Sequence, residues 1–98
     1  MGSGDGYWKY MDIRQNETKE LVGDTIIETV KCGTKGVAAT ILTITPRNKD
    51  GTLSTDTEKI MMFSGIQAED YGIIKAAMPY GCRISQSDKV GSFIVCYS

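Results

Sequence analysis

The chain contains no histidine, two prolines and one tryptophan in 98 residues. Without histidine it cannot build a Ser-His-Asp triad, a Cys-His dyad or a histidine-bearing zinc site from its own side chains. No apolar run approaches the ~20 residues that a membrane-crossing helix needs. The opening Met1-Gly2-Ser3-Gly4-Asp5-Gly6 has no basic stretch followed by an apolar core. It does not read as a secretory signal, and residues 1–6 are expected to be a flexible lead. An excess of one charge is missing too. Lys and Arg total 11 against 12 Asp and Glu, a formal charge of −1, which excludes a strongly basic histone-like arm.

Cysteine is sparse. Cys32, Cys82 and Cys96 are odd in number, widely spaced and without a CxxC pair. An intramolecular disulfide framework would leave one thiol over, and a metal site of all three thiolates competes with a simpler role in the core. They read as small core residues, and a cytoplasmic location is expected. The Asn16-Glu17-Thr18 sequon has no secretory signal to accompany it.

What is present is an ordinary globular balance, 41% hydrophobic and 23% charged, and one domain over residues 7–98 is expected. Threonine suits half-buried strands and glycine punctuates turns. Residues 7–14, rich in aromatics, read as an optional first strand. Residues 21–31 read as a strand whose apolar set does not alternate cleanly; a bulge or a kink at Gly23 lets such a strand serve two faces. Gly33-Thr34-Lys35-Gly36 is a turn. Residues 37–45 are the clearest strand, ended by Pro46. Residues 47–51 form a hairpin tip, with Asp50-Gly51 supplying positive φ angles. The return strand runs to Phe63, with Ile60 and Met62 on one face and Lys59, Met61 and Phe63 on the other.

Over residues 67–78 the period changes. Tyr71, Ile74 and Met78 fall at i, i+3 and i+7, with acids early and Lys75 late, which predicts a short helix stopped by Pro79. Residues 82–86 and 91–97 are two further strands around a Ser87-Asp88-Lys89 turn. The expected fold is mostly β. Its element order, β-β-β-α-β-β, is that of the OB-fold, a five-stranded Greek-key barrel with one helix.

Short matches fall in a familiar order. Leu21-Val22-Gly23, a turn, Gly36-Val37-Ala38 and an alternating Thr/Ile strand are followed by Lys59-Ile60-Met61-Met62-Phe63 and Gln67-Ala68-Glu69. Over residues 19–86 this resembles the bacterial and phage single-stranded DNA-binding proteins. The chain departs from them at Thr57, where the family usually carries an aromatic, in its short last loop and in having no acidic tail. A diverged, phage-like version is what the resemblance points to. It implies an OB-fold that binds single-stranded DNA, or RNA, without sequence preference and self-associates as a homo-oligomer, in support of replication, recombination or repair.

Such binding needs aromatic faces for bases and cations for phosphates. The stacking candidates are Trp8, Tyr10 and Phe63, with packing in the core as the competing role for Phe63. Tyr80 and Tyr97 stay undecided. The cation candidates are Lys31, Lys35, Arg47, Lys49, Lys59 and Arg83. Residues 31–49 hold four of these and no acid. Ordinary solvated turns would look the same. Enzyme readings are weaker: Glu69-Asp70 suits a helix dipole, Gly33-Thr34-Lys35-Gly36 is too short for a phosphate loop, and a cysteine nucleophile has no histidine base. Neither catalysis nor a cofactor or metal is expected. The alternative is a protein-binding module, such as a phage-encoded inhibitor of a host protein. A sugar-binding OB-fold of the toxin B-subunit type would call for secretion and a disulfide.

Overall fold

The computed structural model describes residues 9–14, 16–87 and 90–98. Residues 1–6, expected as a flexible lead, Trp8, and Asp88-Lys89 of the expected last turn lie outside the described residues. Eight strands follow in chain order: β1 (Lys9–Arg14), β2 (Thr18–Val22), β3 (Thr25–Thr34), β4 (Ile41–Pro46), β5 (Met61–Ser64), β6 (Glu69–Met78), β7 (Gly81–Gln86) and β8 (Ser92–Tyr97). They make two four-stranded sheets, ordered β1-β8-β3-β6 and β2-β7-β4-β5.

Every pairing is antiparallel, and β1 pairs with β8, β2 with β7, β3 with β6 and β4 with β5. Each strand thus lies beside its mirror image in the chain, as if one long hairpin with its tip at β4–β5 had been rolled up. That winding is the eight-stranded jelly roll, which packs two sheets instead of closing a barrel. The mostly β expectation holds, and the Asp50-Gly51 tip of the β4–β5 hairpin is in place, though only Gly51, at φ 90°, has a positive φ and Asp50 does not. The five-stranded OB barrel is corrected: the sheets do not close, and no helix occurs among the described residues.

The helix expected over residues 67–78 is strand β6, and the reason is instructive. Tyr71, Ile74, Ala76 and Met78 do pack on the core. The three-residue step from Tyr71 to Ile74 comes from a register shift against β3, not from a helical turn. Gly72 at φ 77° and Lys75 at φ 49° also interrupt any right-handed helix. A bulged strand therefore counterfeits helical spacing. The strand expected over residues 21–31 is likewise two strands in different sheets, β2 and β3, broken at Gly23-Asp24. The Val37 end of the expected 37–45 strand is loop, and β4 begins at Ile41.

The core lies between the sheets. Ile13, Ile27, Val30, Phe93 and Val95 come from the first sheet, and Leu42, Ile44, Cys82 and Ile84 from the second. Cys32 and Cys82 are buried there, as small core residues would be, whereas Cys96 is part-exposed and outside the core. Burial pushes the Cys82 thiol up to about 11, and it raises the Cys32 thiol as well.

Candidate functional site

The hairpin from β4 to β5 carries a long, self-bonded tip. The Asn48 N–H donates to the Thr52 carbonyl at 2.8 Å and the Gly51 N–H to the Asn48 carbonyl at 2.9 Å. The Asp50 carboxylate accepts from the Thr52 hydroxyl at 2.6 Å and its N–H at 3.0 Å. Those bonds, the hydroxyl first, hold the Asp50 carboxyl below its usual value. Further on, Asp56 accepts from the Glu58 N–H at 3.0 Å. Both acids are thereby turned to bracing the loop.

Between this tip and the far end of β6 lies a groove of about 520 Å³. Pro46, Met61, Ala76 and Met78 supply apolar lining, while Arg47, Lys49, Lys59 and Glu58 bring charge. Tyr80, in the turn between β6 and β7, also lines it and is exposed. A π-face, three cations, one acid and an apolar floor can hold a flat group beside negative charge.

Arg47 is not a free cation. Its guanidinium donates to Glu20 Oε1 at 2.5 Å and to the Gly51 carbonyl at 2.8 Å. Arg83 Nε donates to the other oxygen of Glu20 at 2.8 Å. One carboxylate thus serves two guanidiniums. Partial desolvation is the largest single influence on Glu20 and raises its pKa, yet the bonds from Arg47 and Arg83 together outweigh it, so the carboxyl sits below its usual value.

The sequence-based candidates therefore disperse. Arg47, Lys49 and Lys59 meet at the groove, and Arg83 joins them through Glu20. Tyr10 and Lys31 are exposed on strands of the other sheet. Lys35 is exposed in the β3–β4 connection. Phe63 takes the competing role: it packs against the core and the Tyr71 ring, with centroids 5.1 Å apart and planes at 58°. The Tyr71 hydroxyl donates to the Ser64 carbonyl. Trp8 lies outside the described residues.

Two residues of this groove and its rim, Tyr80 and Glu20, are not among the sequence-based candidates. Tyr80 could have been, because Pro79-Tyr80-Gly81 is turn chemistry and a turn exposes its side chains. Glu20 could not, because its partners lie 27 and 63 residues away. Among the described residues no cluster of three or more metal-ligating side chains occurs. No helix of the described chain is long and apolar enough to cross a membrane. Comparison with protein-family models, curated proteins and solved structures found no match for this chain.

Proposed function

We propose that this chain is a non-catalytic module that binds single-stranded nucleic acid, DNA first, at the groove between the β4–β5 tip and β6. One observation carries the reading: Arg47, Lys49, Lys59 and the exposed Tyr80 converge on one groove with an apolar floor. A base stacked on Tyr80 would contribute about 1–3 kcal/mol. Lys49 and Lys59 form no ion pair among the described residues. They are the cations most open to phosphates. Glu20 engages Arg47, Glu58 stands on the rim and the whole chain carries −1. Affinity should accordingly be modest. A module of this kind would shield exposed strands during replication, recombination or repair.

The test is anisotropy of a labelled oligo(dT) titrated with protein at low and then high salt. With two or three phosphates met, log affinity should fall with log salt at a slope of roughly −1.4 to −2.1. Tyr80→Ala and Lys49→Ala/Lys59→Ala should each weaken binding at least several-fold, and all three positions are exposed, so the fold should survive. No binding at micromolar protein and low salt would overturn the reading. The protein-binding alternative rests on a different feature, the exposed apolar residues of the first sheet.

A further inference from the structure

We infer that the outer face of the β1-β8-β3-β6 sheet is the interface of a two-fold homodimer. Side chains alternate along strands, so the residues flanking buried Ile13, Val30 and Val95 point away from the core. Register aligns them in rows. Tyr10 lies opposite Cys96, Cys96 opposite Thr29 and Thr29 opposite Ile73. Next to that row Asp12 lies opposite Ile94, Ile94 opposite Lys31 and Lys31 opposite Asp70. The ends of the first row are strongly exposed, Tyr10 at 75% and Ile73 at 73%.

The face also has a hole and a knob. A depression of about 340 Å³ lies over side-chain-less Gly72, bounded by Ile73, Ile94, Cys96, Lys31 and Asp70. On the other side of the Tyr10–Ile73 row stands Lys75, its side chain 68% exposed and only loosely held by Glu28 at 3.9 Å. A two-fold axis running across the strands along that row exchanges the two sides. It lays Lys75 of one copy into the depression of the other, beside Asp70, and does so twice, as an isologous contact requires. The same operation sets Cys96 against its symmetry mate and Ile73 against its own. An axis along the strands would instead bring Asp12 over Asp70, like charge on like. Charge thus selects the first arrangement, and the occupant it fits is a second copy.

Four strands ~4.8 Å apart and six to ten residues long give a face of roughly 500 Å² per copy. About 1,000 Å² in total is at the lower limit for a specific interface, so the dimer should be weak and concentration-dependent. Because the axis stacks β6 over β6, the two grooves would open along the same side of the dimer.

The test is sedimentation of the full chain, without nucleic acid, from about 1 µM to 1 mM, so its outcome is separate from that of the binding titration. A concentration-dependent dimer is expected. Ile73→Asp and Asp70→Lys should each raise the dissociation constant at least tenfold, and Asp70→Lys/Lys75→Asp should recover most of the loss. A short bis-maleimide should cross-link the wild type but not Cys96→Ser, since the other two cysteines are buried. A monomer throughout the range, or a dimer indifferent to Ile73→Asp, would overturn the inference.

Discussion

The Arg47 guanidinium meets the Glu20 carboxylate at 2.5 Å, tying the rim of the groove to β2, 27 residues away in sequence. A phosphate at the groove must compete with that carboxylate for the same guanidinium. Glu20→Gln removes the competitor while keeping the shape. Oligo(dT) affinity at low salt should rise about three- to tenfold, with a steeper salt slope. The pair is partly exposed, so stability should fall by no more than about 1 kcal/mol. The pH dependence has a definite sign. Glu20 is held below its usual value of 4.5, so its contribution is present above that pH. It is lost as pH falls through the lower folded-state value. Urea midpoints measured between pH 3 and pH 7 should show this acid limb in the wild type and a smaller one in Glu20→Gln. An unchanged affinity would mean that Arg47 does not meet the ligand.

The parts of this molecule readable in sequence were those set by neighbours in the chain. The Asp50-Gly51 turn, the placing of Met61 and Phe63 on the opposite face from Met62, and the final strands depend on local dihedrals and a two-residue period, whereas which face turns inward does not. Tyr71, Ile74 and Met78 were rightly seen as one buried stripe, but a bulged strand and a helix make the same stripe, and only pairing with β3 decides between them. The jelly roll itself was invisible. Its β1–β8 pair joins Lys9 to Tyr97, and no periodicity reports on contacts that distant. The basic run of residues 31–49 illustrates the same limit at the site. Lys31 sits on the first sheet, Lys35 in a loop and Arg47 at the groove, because β3 and β4 belong to different sheets.

The three thiols should separate cleanly by reactivity. Cys82 is buried with its thiol raised to about 11, and Cys32 is buried and raised in the same direction. Cys96 is part-exposed on the outer face of the first sheet. Thiolate is the reacting form, so at pH 8 only about one Cys82 in 1,000 would be ionised even if reagent reached it. Native protein should therefore titrate about one thiol rapidly with a chromogenic disulfide, and denatured protein three. Dilution should speed the native reaction if Cys96 is covered in the dimer.

Gly81 is held where no other residue fits. Its φ is +85°, and a Cβ added there would stand 2.1 Å from the Leu21 carbonyl oxygen, backbone that cannot swing aside. Gly81→Ala should lose at least about 3 kcal/mol in urea unfolding, or fail to fold, because strain and overlap act together. Gly51→Ala is the control. It has a similar φ of +90° but open space around it. It should lose only about 1 kcal/mol, the conformational part alone.

Lys75 sets two effects against each other. Its φ of 49° is left-handed, which an ordinary side chain adopts at a cost of about 1–2 kcal/mol, so glycine there would relieve strain. Against this stands Glu28, whose Oε2 accepts from the Ser98 hydroxyl at 2.6 Å while its buried Oε1 has no hydrogen bond. The Lys75 ammonium, 3.9 Å from Oε1, is the counter-charge. Removing it leaves a buried carboxylate uncompensated, a loss of about 3–5 kcal/mol in the buried limit and less here because Lys75 is exposed. The charge effect should win by a small margin. At protein concentrations low enough for a monomer, Lys75→Gly should lose about 1 kcal/mol in urea unfolding. Glu28→Gln in the same chain should return that loss, since the uncompensated charge is gone while the strain relief stays. If Lys75→Gly alone stabilises the protein, the ammonium is not compensating Glu28, and strain dominates this bulge.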